Sequence, residues 1–146
     1  MSWPPEITVA AIVTRNDTFL MVEEIENGEL VINQPAGHLE PNETLVEAMM
    51  REVLEETSYL TRPEAIVGLY QFQAPEGGPL YFRVCYLARV IEKTHQALDP
   101  DIQAVLWLSQ KEIMARKHRS PLVARCLQDY QTGQRIPLEH SAWVPS

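Results

Sequence analysis

Residues 37–59 read GHLEPNETLVEAMMREVLEETSY, and this stretch decides how the chain folds and what it carries. Glu52, Glu55 and Glu56 stand at i, i+3 and i+4, so in a helix their carboxylates share one face. That face is not the polar one. At roughly 100° per residue, Leu45 and Met49 point the same way as Glu52 and Glu56, so an apolar stripe turns into carboxylates near its end. A carboxylate on a packing face is costly unless its charge is offset, and like charges this close repel. A bound divalent cation answers both problems, and hard oxygen ligands of this kind suit Mg²⁺ or Mn²⁺. The plainer reading, a solvated helix with an acidic end, leaves the carboxylates on the apolar stripe unexplained.

Outward from this helix the chain reads as strands on both sides. Residues 7–14 and 19–25 are β-rich runs around Arg15-Asn16-Asp17-Thr18, a hairpin, and residues 30–34 follow the Asn27-Gly28 turn. Pro35-Ala36-Gly37 breaks regularity, and Thr44 with Glu47 forms a capping box that opens a helix over residues 45–57. Residues 65–73 and 80–91 are two more strands about a Pro75-to-Pro79 turn, and residues 104–108 are a last strand. Ser109 and Glu112 make a second capping box, predicting a short helix through Lys117. Ser120 with Pro121 at the first helical position opens a third helix that closes at Gly133.

With 146 residues, 45% of them apolar and 22% charged, the chain suits one globular domain over residues 1–146 and is too short for two ordinary ones. The net charge of −8 and the lack of a basic stripe exclude a nucleic-acid-coating surface. Acidity at the centre of a phosphate-binding protein makes sense if metal ions bridge carboxylates and substrate oxygens. Cys85 and Cys126 are too few for a disulfide framework or a zinc site and read as buried thiols in a reducing compartment. No signal peptide, transmembrane span or lipidation motif is evident, so the expected location is the cytoplasm.

The spacing from Gly37 to Glu43, and from there to Arg51-Glu52-Val53-Leu54-Glu55-Glu56, resembles the Nudix box, G-x5-E-x7-R-E-U-x-E-E-x-G-U with U aliphatic. Every specified position is met up to Glu56. The departures are Ser58, where the family has glycine, and Tyr59, where it has an aliphatic residue. Residues 33–40, 101–109 and 119–139 carry the resemblance over most of the chain, towards a bacterial phosphatase branch of the family. It implies an α/β fold, the Nudix-type α/β/α sandwich with a mixed β-sheet. It also implies a Mg²⁺-dependent enzyme, with Mn²⁺ able to substitute, that hydrolyses phosphoanhydrides with metal-activated water. The substrates implied are nucleoside di- and triphosphates and a thiamin-precursor pyrimidine pyrophosphate, with release of phosphate. The alternatives are pyrophosphatases of other nucleotide classes, such as nucleotide sugars or dinucleoside polyphosphates, and a nucleotide-sensing domain without turnover. The partner expected is thus a small phosphorylated molecule, with neither nucleic acid polymer nor membrane, and a monomer is compatible with the sequence.

Residue by residue, the family pattern makes Glu52 and Glu56 metal ligands, with the backbone carbonyl of Gly37 beside them. Glu55 either binds a second metal or acts as general base. A further acid is expected ahead of Trp107; Asp101 fits, with Asp99 next to it, and a solvated turn is the bland alternative. Arg51 is expected to orient the glutamates by pairing with Glu47 or Glu43. Arg83 is a candidate for a substrate phosphate or an ordinary strand-face charge, and His38 could touch phosphate or the leaving group. His95, His118 and His140 read as surface residues. Trp3, Tyr70, Phe72 and Tyr81 are candidates for stacking on a ring, although strand aromatics more often pack.

Overall fold

The computed structural model describes residues 2–146. Its strands are β1 (Ser2–Arg15), β2 (Thr18–Glu26), β3 (Glu29–Asn33), β4 (Ala36–His38), β5 (Tyr59–Gln73), β6 (Pro79–Lys93) and β7 (Ala104–Leu108). The helices are α1 (Leu45–Thr57), α2 (Gln110–Met114) and α3 (Leu122–Gln131), with a 3₁₀ turn at Leu138–His140. Among the described residues no helix is long and apolar enough to cross a membrane.

Alternation along β1 explains the layers. Ala10 and Ile12 point to one face of the sheet and join Cys85 of β6 with Val123, Cys126 and Leu127 of α3. Val9, Ala11 and Val13 point to the other and join Tyr86 of β6 with Ala48, Met49 and Val53 of α1. A strand apolar on both faces has to lie between two packed layers, and helices cover both sides of this one. The sheet is seven-stranded, with the order β3-β2-β1-β6-β5, β4 added to β1 and β7 to β2. It is mixed: β1 runs parallel to β6 and antiparallel to β4. The α/β sandwich expected from the sequence is the fold observed.

Turn chemistry sets the hairpins. Asn16 and Asp17 both have positive φ, as do Asn27 and Gly28, which is the backbone that two-residue hairpin turns require. The first helix spans the residues predicted for it, with the Thr44–Glu47 capping box formed in both directions.

The structure differs from expectation in several places. Strand β1 starts at Ser2 rather than residue 7, and Pro121, not Ser120, is the N-cap of α3. The short strand β4 lies in what reads as a loop, held by its pairing of Ala36, Gly37 and His38 with Ala10, Val9 and Thr8. The helix after Ser109 stops at Met114 rather than Lys117. Residues 117–119 instead line the free side of β3, where Lys117 O accepts from Ile32 N and Arg119 N donates to Ile32 O. In the same turn His118 is half-buried, its ring Nε2 2.8 Å from Ile113 O, and so is not the surface residue expected. Lastly, β5 begins at Tyr59, directly after α1, because Ser58 takes the left-handed conformation (φ 66°) and reverses the chain.

Candidate active site

Gly37 and Glu52 form the tightest part of the site. A Cβ at Gly37 would lie 2.0 Å from the carboxyl carbon of Glu52, so the glycine leaves the space this carboxylate occupies against the backbone of β4. One turn further along α1, Glu56 is only 9% exposed, and its Oε1 accepts from the Ala36 N–H at 3.0 Å. Burial pushes the Glu56 carboxyl up to about 9. The Ala36 hydrogen bond opposes this, while repulsion from Glu24, Glu52 and Asp99 adds to it. Glu52 is also raised, first by burial and then by Glu55 and Glu40, against the pull of Arg51.

Arg51 is the tether of this cluster. Its guanidinium makes a two-pronged contact with Glu43, Nη2 at 2.7 Å and Nε at 3.0 Å. It also reaches Glu52 at 2.7 Å, Glu40 at 3.2 Å, Glu55 at 3.5 Å and the His38 carbonyl at 2.9 Å. These hydrogen bonds hold the Glu43 carboxyl below the usual carboxylate range. Glu47 does not join them, because its Oε1 caps the Thr44 N–H.

These groups open onto a cleft of about 1110 Å³, whose walls include Glu52, Glu56, Gly37, His38, Arg83 and Asp101. Glu55 is not among its lining; its carboxylate lies 3.5 Å from Arg51 Nη1, while its carbonyl accepts from Asp99 N at 2.8 Å. That bond fastens the loop before β7 to the end of α1. Asp99 and Asp101 both line the cleft, but Asp99 is the one whose charge acts on Glu56, and Asp101 acts on Glu24. His38, also in the lining, has Nε2 2.9 Å from Glu6 Oε1. Arg83 is only 6% exposed, with Nη1 donating to Gln34 Oε1 at 2.8 Å.

Of the aromatic candidates, Phe72 and Tyr81 are cross-strand partners on the cleft wall. Tyr70 is not free to stack: its hydroxyl donates to Asp129 Oδ2 at 2.8 Å inside the core under α3. Trp3 is 74% exposed and lies outside the cleft lining. Sequence reasoning missed Glu24. This residue sits in an apolar strand beside a second acid, Glu23, and reads as the polar end of a hairpin. Only the strand pairing turns it toward Glu56, where burial raises it and Arg119, at 2.8 Å, lowers it.

A divalent cation fits this donor set. The oxygens are hard, several are desolvated, and Glu56 is costly to ionise without a compensating charge. Among the described residues no group of three or more His, Cys, Asp and Glu is already drawn together to hold an ion. Glu52 is turned toward Arg51 and Glu56 toward Ala36, and both line the cleft.

A family model for the NUDIX domain matches residues 4–127. The chain is 46% identical over 137 residues to "Phosphatase NudJ" of Escherichia coli K12, covering 92% of this chain and 89% of that protein. A solved structure described as a NUDIX hydrolase from Nitrosomonas europaea is 40% identical, with a TM-score of 0.92 over 96% of this chain and 97% of that one. The NUDIX domain of Shewanella oneidensis NrtR, solved with ADP ribose, shares the fold with a TM-score of 0.75 at 14% identity, over 90% of each chain.

Proposed function

This chain belongs to the Nudix family and is a hydrolase of it, and on that premise we propose that it removes orthophosphate from nucleoside di- and triphosphates in a Mg²⁺-dependent reaction. The thiamin-precursor pyrimidine pyrophosphate is a further substrate, Mn²⁺ can replace Mg²⁺, and the working unit is one Nudix domain over residues 1–146 in the cytoplasm. The observation that carries this reading is Glu56, a buried carboxylate surrounded by Glu24, Glu52 and Asp99 at the wall of a large open cleft.

Glu52, Glu56 and the Gly37 carbonyl would hold the cation, with Asp99 or Asp101 completing the set from the loop before β7. Bound there, it would supply positive charge to phosphate oxygens and acidify water. Glu55 acts as general base, its part-exposed carboxylate able to pass a proton to solvent. Arg51 fixes the direction of Glu52 and Glu43 and does not touch substrate, since its donors are already engaged. His38 and Arg83 contact the substrate from the sheet.

The test is a panel of phosphorylated compounds with Mg²⁺, in which free phosphate and pyrophosphate are assayed separately. Orthophosphate from nucleoside di- and triphosphates supports the reading. Turnover confined to nucleotide sugars or dinucleoside polyphosphates, or tight nucleotide binding with no product, overturns it.

A further inference from the structure

Arg83 is a buried cation with no carboxylate partner among the described residues, at the wall of a cleft otherwise dominated by acids. Its neighbour cation in the cleft, Arg119, is paired with Glu24 and Glu26. Arg83 Nη1 donates to the neutral Gln34, the Cys126 thiol lies near enough for Arg83 to lower it, and the Arg83 Nε has no acceptor. The Gln34 Nε2, on the amide that accepts from Arg83, is a buried donor without a partner too. A desolvated guanidinium without a carboxylate beside it is costly, and donors left open in this way mark a site completed by an anion.

The strand register says where that anion lies. Arg83 pairs directly with Thr8 of β1, and Thr8 with His38 of β4, so all three share one face of the sheet. Glu52 packs against the opposite face of that same β4, at Gly37, and groups from both faces line the one cleft. Two strand spacings, about 10 Å, separate the backbone at Arg83 from the backbone of β4. On the other side, two residues along β6 from Arg83, lies Tyr81, opposite Phe72. The order along the cleft is carboxylates, then Arg83, then an aromatic pair.

We propose that this order fixes the polarity of the substrate: its ring lies against Phe72 and Tyr81, the ring-proximal phosphate on Arg83, and the distal phosphate at the carboxylates. The inference rests on the hydrolase reading above. It places the attacked phosphorus at the distal end. The water oxygen forms a bond to the distal phosphorus while the bond from that phosphorus to the bridging oxygen breaks. The electron pair stays on the bridging oxygen, which remains with the retained phosphate. The distal group leaves as orthophosphate, and one water proton passes to solvent by way of the base. With a nucleoside diphosphate, charge develops on the ring-proximal phosphate in this step, and Arg83 is placed to stabilise it.

Binding of the retained product isolates the subsite from catalysis. Adenosine, guanosine, cytidine and uridine 5′-monophosphates, and inorganic phosphate, are titrated by calorimetry into wild type and variants in EDTA. Arg83→Gln should weaken the best-bound monophosphate at least ~10-fold, and Arg83→Lys should recover part of the loss. Phe72→Ala should weaken the monophosphate and leave inorganic phosphate unchanged. Thermal melts of each variant identify those that fold, and Arg83→Lys serves if Arg83→Gln does not. No measurable monophosphate binding by wild type, or an affinity unchanged within about twofold in a folded Arg83 variant, overturns the proposal. The hydrolase reading is untouched by either result, because it is judged from turnover with Mg²⁺.

Discussion

Glu56 carries opposite burdens in the free and the metal-loaded protein. In the unfolded chain it ionises at the ordinary carboxylate value of 4.5, and in the folded, metal-free chain at about 9. Between those values the folded state keeps a proton that the unfolded state has lost. This contribution to stability is complete below the unfolded value and disappears as pH rises through the folded one. In EDTA the melting temperature should therefore rise as pH falls from 7 to 5.5, and Glu56→Gln should flatten that slope. The window stops at 7 because the Cys126 thiol, lowered to about 7 chiefly by the Cys85 thiol and also by Arg83, acts in the opposite sense above it. A slope unchanged in Glu56→Gln would assign the titration to another group. With Mg²⁺ present the same charge is needed, and Glu52→Gln and Glu56→Gln should each lower turnover at least ~100-fold, about 2.7 kcal/mol of transition-state stabilisation. Steady-state rates at saturating metal check this, and near-native rates in both variants would contradict it. Gly37→Ala tests the neighbouring contact: its Cβ would displace the Glu52 carboxylate, so turnover should fall ~10-fold or more while the fold persists. An unimpaired Gly37→Ala enzyme would show that Glu52 works from a different position.

At the scale of elements, the end of α1 shows how a departure from the family pattern is accommodated. Ser58 sits at φ 66°, where a side chain is strained by ~1 kcal/mol relative to glycine. Its hydroxyl, however, donates to the Gln96 carbonyl, and its own carbonyl accepts from both Thr94 N and Thr94 Oγ1 at 2.8 Å. The serine thereby binds the segment after β6, at about the strength that the strain takes away. Ser58→Gly should be close to neutral in a thermal melt, and Ser58→Ala should lower stability by about 1 kcal/mol, since it keeps the strain and loses the bond. Equal melting temperatures for the two variants would contradict this. Tyr59 at the aliphatic position is explained in the same way: it buries its ring at 5.5 Å from Trp107, edge to face, and its hydroxyl accepts from Trp107 Nε1 at 3.2 Å. Helix α1 was legible to the residue, because a capping box, an apolar stripe and a stop residue all agree. Strand β4 was not, since three residues carry no period and their pairing partner lies far away in sequence. Helix α2 was over-read because the pull of β3 on residues 117–119 is a tertiary effect.

For the molecule as a whole, the carboxylates of the helix were legible and their surroundings were not. Local spacing placed Glu52, Glu55 and Glu56 on one face. It could not show Glu24 arriving from β2, the Asp99 loop fastened to Glu55 O, or Arg83 left without a carboxylate partner among the described residues, because each depends on strand pairing across many residues. The net charge of −8 now has a location, since the cleft collects acids from β2, α1 and the loop before β7 around a few cations. On the proposed reading this acidic cleft, with Arg83 between it and the ring, directs cleavage to the terminal phosphate. A time course on a nucleoside triphosphate with Mg²⁺, following diphosphate and monophosphate and assaying orthophosphate and pyrophosphate directly, tests it. Orthophosphate should be the first product, with a transient diphosphate; pyrophosphate released in one step, with no diphosphate, would overturn that reading.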